Sequence, residues 1–333
     1  LIRLLKGLFK KEEINPEEVE LSFEAHPNNT TNAHLIDLYQ FGFRRLSLGI
    51  QDYSPTVQKA INRIQSFDQV KNVHQAAKSI GYTSISHDLV FGLPKQNLND
   101  IIDSVEKTLS IKPDRISLYS YAHVPWIKGV GQRGYDESDL PKDNEKRELY
   151  EKAKSMLEEA GYLEIGMDHF ALPHDELALA FKSKDLHRNF MGYTTQETSF
   201  LLGLGMSAIS DSWFGFAQNE KKVEDYTERV NKGEIPIFRG HILSSLDLEI
   251  RKYILDLMCH FETILIENSE HRSIHRDIIN RLKPMIDDRL IEVNENRISV
   301  TPKGIPFVRN CCMAFDQDLI SNNQRENMFS KTI

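Results

Sequence analysis

Four stretches of this chain alternate apolar and polar residues, and each closes on a polar or ionisable side chain. They are residues 19–24, 46–51, 84–88 and 116–123, ending on Glu24, Gln51, Asp88 and His123. A helical apolar pattern follows each of the first three. The strand-end residues lie 27, 37 and 35 positions apart (51−24, 88−51, 123−88), a normal size for one β/α unit. Such a pattern restricts the chain to a parallel α/β sheet or barrel, because parallel strands need a long crossover between them. All strand carboxyl ends then open on one face, where ligands bind. Four polar groups far apart in sequence are thereby predicted to surround one pocket.

Within 46–51, Leu46, Leu48 and Ile50 alternate with Ser47, Gly49 and Gln51; within 84–88, Ile85 opposes Ser84, Ser86 and Asp88. The apolar side is predicted to lie under the helices. A filled barrel interior would be rich in Val, Ile and Leu, so the small polar side predicts an interior left open for a ligand. Helical spacing also marks residues 1–13. Ser54-Pro55 offers a capping hydroxyl before a proline at the first helical position. A run over 68–80 closes at Gly81, and another over 98–111 stops before Lys112-Pro113-Asp114. After Pro125 the pattern changes: an irregular stretch over 126–140, a long amphipathic helix over 143–160, then mostly helix. One hairpin, 290–293 with 297–300, turns at Asn294-Glu295-Asn296, and the order over 246–315 resembles a winged helix. Two domains are expected, 1–145 and 146–333.

The net charge of −8 argues against nucleic-acid binding, which needs a phosphate-neutralising surface. Residues 246–333 hold 12 basic and 14 acidic residues, so a DNA-reading winged helix is not expected. No apolar run approaches the roughly 20 residues of a membrane span, and no signal segment opens the chain. Cys259, Cys311 and Cys312 form no disulfide framework and suit a reducing cytoplasm. Residue 1 is Leu, and the chain is expected to be a piece of a longer protein with its start missing.

Glu24, Gln51 and Asp88 could each merely cap a loop, but three in consecutive β/α units favour a site. Arg63, in INRIQ, would form a bidentate clamp beside a ligand carboxylate, although most arginines are solvated surface groups. The strings 166–173 and 187–195 set many hydrogen-bonding groups among aromatics, which suits a large, flat, anionic ligand. Asp168, His169, His174 and His187 match no standard metal spacing. Gly203 and Gly205 lack the third glycine and the acid of a dinucleotide fingerprint, so close backbone packing is the better reading. Cys311-Cys312 falls beside Phe307, Met313 and Phe315 and reads as core.

The strings RRLSLGIQDYSPTVQKAINRIQ, ISHDLVFGLPKQ, SLYSYAHVP, GMDHFALPHDELALA, HRNFMGYTTQ and LLGLGMSAIS together resemble oxygen-independent coproporphyrinogen III oxidases. These are radical S-adenosylmethionine enzymes of haem biosynthesis, and the resemblance runs from about residue 18 to the end. The barrel strings are shared with a haem-chaperone relative, the alternative reading; GMDHFALP and HRNFMGYTT favour the oxidase. The resemblance implies a partial (β/α)6 radical-SAM barrel, truncated at its start, with a mostly helical carboxyl-terminal domain. It implies S-adenosylmethionine contacts at Glu24, Gln51, Arg63, Asp88, Ala122 and Ile209, so that Ala122 displaces His123 from the ladder. It also implies a [4Fe–4S] cluster, coproporphyrinogen III as substrate, and an electron donor and acceptor. Two propionates would become vinyl groups through a 5′-deoxyadenosyl radical, giving protoporphyrinogen IX. Arg133 and Arg188 are the expected propionate partners. A cytoplasmic monomer without nucleic-acid or membrane partners follows.

The family's CxxxCxxC motif, the glycine-rich strand end after it and a tyrosine lie upstream of anything present here, and the catalytic residues are expected there too. Cys259, Cys311 and Cys312 cannot wrap three corners of one cluster, so no metal ligand is expected among these residues. The chain should then hold half a site and be inactive as it stands. Met191 occupies a position where relatives carry Gln in NFQGYTT.

Overall fold

The computed structural model describes residues 7, 19–123 and 135–317. The helical spacing of 1–13 and most of the loop expected over 126–140 lie outside them. The chain divides into two compact units after Ala178.

The first unit holds, in chain order, β1 (Ser22–Ala25), α1 (Asn32–Gln40), β2 (Arg45–Gln51), α2 (Pro55–Ala60) and α3 (Phe67–Ile80). There follow β3 (Ser84–Phe91), α4 (Leu98–Ile111), β4 (Arg115–Ser120), α5 (Asp143–Glu159), β5 (Leu163–Ile165) and β6 (His169–Ala171), and α6 (Glu176–Ser183) crosses the boundary. One six-stranded sheet runs β1-β2-β3-β4-β6-β5. Its first four strands are parallel, and β6 and β5 complete it by antiparallel pairing.

The period-two alternation decides which face is buried. Leu46, Leu48, Ile50, Ile85 and Leu89 pack against Val70, Val73 and Ala77 of α3 and Ile101 and Val105 of α4 in one core. Each fully buried aliphatic side chain there contributes about 1.5–3 kcal/mol. Ser47, Ser84, Ser86 and Asp88, on the opposite face, stay half-buried. The helix starts are fixed by capping boxes, Ser66 with Gln69 for α3 and Asn97 with Asp100 for α4. Behind the sheet, His74 Nδ1 of α3 meets His87 Nε2 of β3 at 3.0 Å.

Four expectations change. Ser54 makes no side-chain cap for α2; the short polar side chain that closes the turn is Asp52, whose Oδ1 accepts the Ser54 N–H. Asp88 lies inside β3, because pairing with β4 continues to Phe91↔Ser120. β4 ends at Ser120, leaving Ala122 and His123 beyond it. Residues 146–178 group with the first unit, and the division falls later than 145/146, because β6 pairs along β4.

The second unit holds β7 (His187–Asn189), β8 (Gly192–Thr194), β9 (Phe200–Leu201), β10 (Ile209–Ser212), β11 (Gly215–Asn219), α7 (Val223–Asn231) and β12 (Ile237–Ile242). After these come α8 (Ser245–His260), β13 (Glu262–Ile264), α9 (Arg272–Asp287), β14 (Ile291–Asn294), β15 (Arg297–Val300) and α10 (Val308–Met313). From α8 to β15 the order is helix, strand, helix and hairpin, with a sheet β13-β15-β14, which resembles a winged helix with one helix fewer. The antiparallel sheet β12-β11-β10-β9 and the β7–β8 hairpin add strand to a region whose spacing reads as helical. No helix among the described residues is long and apolar enough to cross a membrane.

Candidate functional site

The site is built at the carboxyl ends of β1 and β2 and on the polar face of β3, and Arg63 organises it. Its Nη2 donates to the Gly49 carbonyl at 2.7 Å, laying the guanidinium along β2. Gly49 is what makes room: a Cβ there would lie 2.6 Å from Arg63 Nη2 and 3.2 Å from Gln51 Nε2. Burial lowers the Arg63 pKa, while the charges of Glu24 and Asp88 oppose that shift. Glu24, Arg63 and Asp88, from three separate β/α units, are therefore electrostatic neighbours. The Arg63 Nε is buried and makes no hydrogen bond, an orphaned donor of the kind that a ligand acceptor satisfies.

Side-chain amides hold this arginine's segment in place. Gln65 Nε2 donates to the carbonyls of Gly49 and Ile50. Gln58 Nε2 donates to the carbonyls of Asp52 and Gln65, both at 2.8 Å, and Gln58 Oε1 accepts the Gln65 N–H. At Gln51 the β2–β3 register shifts and φ reaches 70°, a left-handed conformation unusual for a residue other than glycine. It turns the side chain out of the strand's alternation at the sheet end.

Asp88 sits on the polar face. Ser47 Oγ donates to its Oδ2 at 2.6 Å. Burial raises the Asp88 pKa, and hydrogen bonds from Ser47 and Ser117 and the nearby charges of His169 and Arg63 restrain the rise. Asp88 pairs with Ser117 and Ser117 with His169 in the sheet register, so one polar row crosses β3, β4 and β6, with Gly49 as its register neighbour on β2. Asp168 Oδ1 meets His169 Nδ1 at 2.6 Å and fixes the imidazole.

A buried latch joins two of the strand-end loops. Gln96 Nε2 donates to Asp52 Oδ2 at 2.7 Å and to the Val90 carbonyl at 3.0 Å, while Gln96 Oε1 accepts the N–H groups of Gly92 and Leu93. Burial raises the Asp52 pKa to about 7 against its hydrogen bonds. Past β4, Lys146 Nζ donates to the Tyr121 carbonyl at 3.0 Å, which anchors the backbone beside the exposed Ala122. His123 Nε2 lies 3.4 Å from Glu137 Oε1.

The remaining predicted residues fall elsewhere. Arg133 lies outside the described residues. Ile209 opens β10 in the second unit, where a Cβ on Gly203 would come within 2.7 Å of the Ile209 backbone, so the LGLG string serves close packing. Arg188 of β7 stacks 4.5 Å from the Tyr193 ring centroid, with a buried Nη1 that makes no hydrogen bond. Cys259, Cys311 and Cys312 are buried in the second unit. Burial pushes the Cys259 and Cys311 thiols up to about 12 and shifts Cys312 upward as well.

A guanidinium with an open donor, flanking carboxylates and polar strand faces suits a ligand carrying carboxylate, ammonium and ribose hydroxyl groups, as S-adenosylmethionine does. The protonated, buried thiols do not suit a [4Fe–4S] cluster, which needs thiolates.

Sequence reasoning missed Gly49, Asp52 and Gln96. The available signals were a glycine at the strand end that carries Gln51 and polar residues flanking Ser54-Pro55 and Leu93-Pro94.

Strands β1, β2 and β3 of the first unit fall within a match of the Radical SAM superfamily model to residues 1–108, and the fold is of that class. Oxygen-independent coproporphyrinogen III oxidase of Helicobacter pylori J99 is 36% identical over 322 residues, covering 95% of this chain and 70% of the relative. The enzyme of that name from Escherichia coli K12 is 37% identical over 336 residues, covering 99% and 73%. The solved structure of Escherichia coli coproporphyrinogen III oxidase (HemN), described as a radical SAM enzyme, superposes with a TM-score of 0.88 at 36% identity, over 95% of this chain and 73% of that one. The chain belongs to the oxygen-independent coproporphyrinogen III oxidase family.

Proposed function

We propose that this chain binds S-adenosylmethionine at the carboxyl ends of β1 and β2 and the polar face of β3 and serves the oxidative decarboxylation of coproporphyrinogen III to protoporphyrinogen IX. The observation that carries the reading is Arg63, desolvated between Glu24 and Asp88 with its Nε unsatisfied. Together with a reduced [4Fe–4S] cluster, S-adenosylmethionine supplies the hydrogen-abstracting chemistry that starts the conversion of two propionates to vinyl groups. In this reading Arg63 takes the methionine carboxylate, and Glu24 and Asp88 take the amine and ribose hydroxyls. Gln51 and Ala122 complete the contacts drawn from the first unit. Ser47 and Ser117 keep Asp88 available as an acceptor by offsetting its burial. No step is assigned to Cys259, Cys311 or Cys312.

Coproporphyrinogen III carries four propionates, and Arg133 and Arg188 are proposed for them. Stacking on Tyr193 fixes the Arg188 guanidinium, and its open Nη1 leaves a donor for a carboxylate. The electron donor and acceptor, a cytoplasmic location, a monomeric state and the absence of nucleic-acid or membrane partners belong to the same proposal. The relatives described above carry the name of an oxidase, which favours catalysis over the haem-chaperone alternative.

Titration calorimetry with S-adenosylmethionine tests the binding reading. Glu24→Ala and Asp88→Ala should each weaken binding by about tenfold or more, from roughly 1.5–3 kcal/mol per charge-assisted hydrogen bond, without lowering the unfolding temperature. Unchanged affinity would mean that the ladder is structural. In the full natural chain, anaerobic reconstitution with iron and sulfide, then S-adenosylmethionine, reductant and coproporphyrinogen III, should give vinyl product. A cluster-loaded protein that yields none would sink the oxidase reading.

A further inference from the structure

The turn after β1 carries a histidine without a place in the contact set above. His26 caps the short 3-10 turn Pro27–Asn29, and its Nδ1 accepts the Asn28 backbone N–H at 3.2 Å. Its carbonyl receives the Thr30 hydroxyl at 2.9 Å and the Asn29 N–H at 3.0 Å, so ring and backbone are both held. Asn28 Nδ2 then donates to the Ile64 carbonyl at 2.7 Å. That bond fastens the turn to the residue directly after Arg63.

The tautomer follows from these contacts. A ring nitrogen that accepts a hydrogen bond carries no proton, so the neutral imidazole bears its proton on Nε2. Burial, and then the charge of Arg63, hold His26 below the ordinary imidazole range. The turn packs on α3 and β2, and the charge that bears on His26 is that of Arg63. Protonation would also set an Nδ1–H against the Asn28 N–H. Two independent constraints thus keep a neutral donor beside a cation, where a second cation would repel it.

We propose that His26 is a further ligand-binding residue, its Nε2–H donating to the same anionic group of the ligand that Arg63 takes. The inference rests on the reading of Arg63 as holder of the methionine carboxylate. It makes the anion site a pair, one charged and one neutral donor, carried on two loops that Asn28 ties together.

Two substitutions separate cap from donor. His26→Asn keeps an oxygen able to accept the Asn28 N–H but is too short to reach the ligand. His26→Gln restores an amide nitrogen near the Nε2 position. Calorimetric titration with S-adenosylmethionine should show about tenfold weaker binding in H26N, the worth of one hydrogen bond to a charged group, and near-wild-type binding in H26Q. 5′-Methylthioadenosine, which lacks the carboxylate, should bind wild type and H26N alike. Imidazole 15N NMR should report the Nε2–H tautomer at His26.

Full S-adenosylmethionine affinity in H26N, equal weakening toward both ligands, or an Nδ1–H tautomer would each overturn the proposal. Arg63→Gln in the same titrations isolates the parent reading. If R63Q binds S-adenosylmethionine like wild type, the assignment of Arg63 fails; if R63Q is weakened and H26N is not, only the role of His26 fails.

Discussion

Gly49→Ala separates the arginine's position from the stability of the strand. The new Cβ would stand 2.6 Å from Arg63 Nη2 and 3.2 Å from Gln51 Nε2. Both atoms end flexible side chains, so the backbone need not move and the guanidinium must. On the stability side, Ala in place of Gly within a strand gains about 0.5–1 kcal/mol. Losing the bond from Arg63 to the Gly49 carbonyl costs about 1 kcal/mol, and Gln65 still donates to that oxygen. The two nearly cancel, so the unfolding midpoint should stay within about 4 °C of wild type. Binding has no such compensation. A displaced Arg63 forfeits about 1.5–3 kcal/mol of charge-assisted bonding to a ligand carboxylate, which is about 10–150-fold in Kd. Titration calorimetry with S-adenosylmethionine and thermal unfolding on the same preparation read both quantities. An affinity within about threefold of wild type, below 1 kcal/mol, would refute the placement of Arg63 as a ligand anchor. A large fall in the midpoint would show instead that Gly49 serves the sheet.

Other outcomes follow from the latch and the thiols. Asp52 has a folded pKa of about 7 against an ordinary 3.8, so the native state holds the extra proton between those values. Its contribution to stability therefore falls as pH rises from about 4 to 7 and is flat above that range. The unfolding free-energy difference between wild type and Asp52→Asn, measured by urea titration, should change across this window; a constant difference would contradict the burial argument. Gln96→Met leaves Asp52 Oδ2 and the N–H groups of Gly92 and Leu93 without their partner, at about 1–3 kcal/mol each. An unchanged unfolding temperature would show that the latch carries no weight. The three thiols, buried and raised, should resist Ellman's reagent in the native protein at pH 8, and fast labelling would contradict their burial. Serine at all three positions should leave iron uptake on reconstitution of the full natural chain unchanged, whereas a loss would make them ligands.

Legibility in the sequence followed periodicity. Leu46, Leu48 and Ile50 alternate over a strand long enough to show its buried side, and Gly81 marks the end of the helical run before β3. β5 and β6 have three residues each, too few for period two to emerge, so the sheet's extension through residues 163–171 was hidden. β12 is exposed along its whole length, so no alternation of burial was written into it. Within the site, Glu24 stood out near the end of β1 and Asp88 on the small polar face of β3, because a carboxylate is unusual in either place. Gly49 and the Asp52–Gln96 pair were not, since their roles depend on residues 14 and 44 positions away whose approach only the fold specifies.

The exchange of bonds among Gln58, Gln65 and the β2 carbonyls has a thermodynamic consequence. After Gln51 the chain leaves the sheet for α2, yet these amides reproduce, side chain by side chain, the ladder that another strand would have supplied. Arg63 is thereby fixed to β2 before any ligand arrives. The ordering of that corner is a cost of folding and not of binding, so the anion should meet a preformed cradle there, with little loop entropy to lose on association.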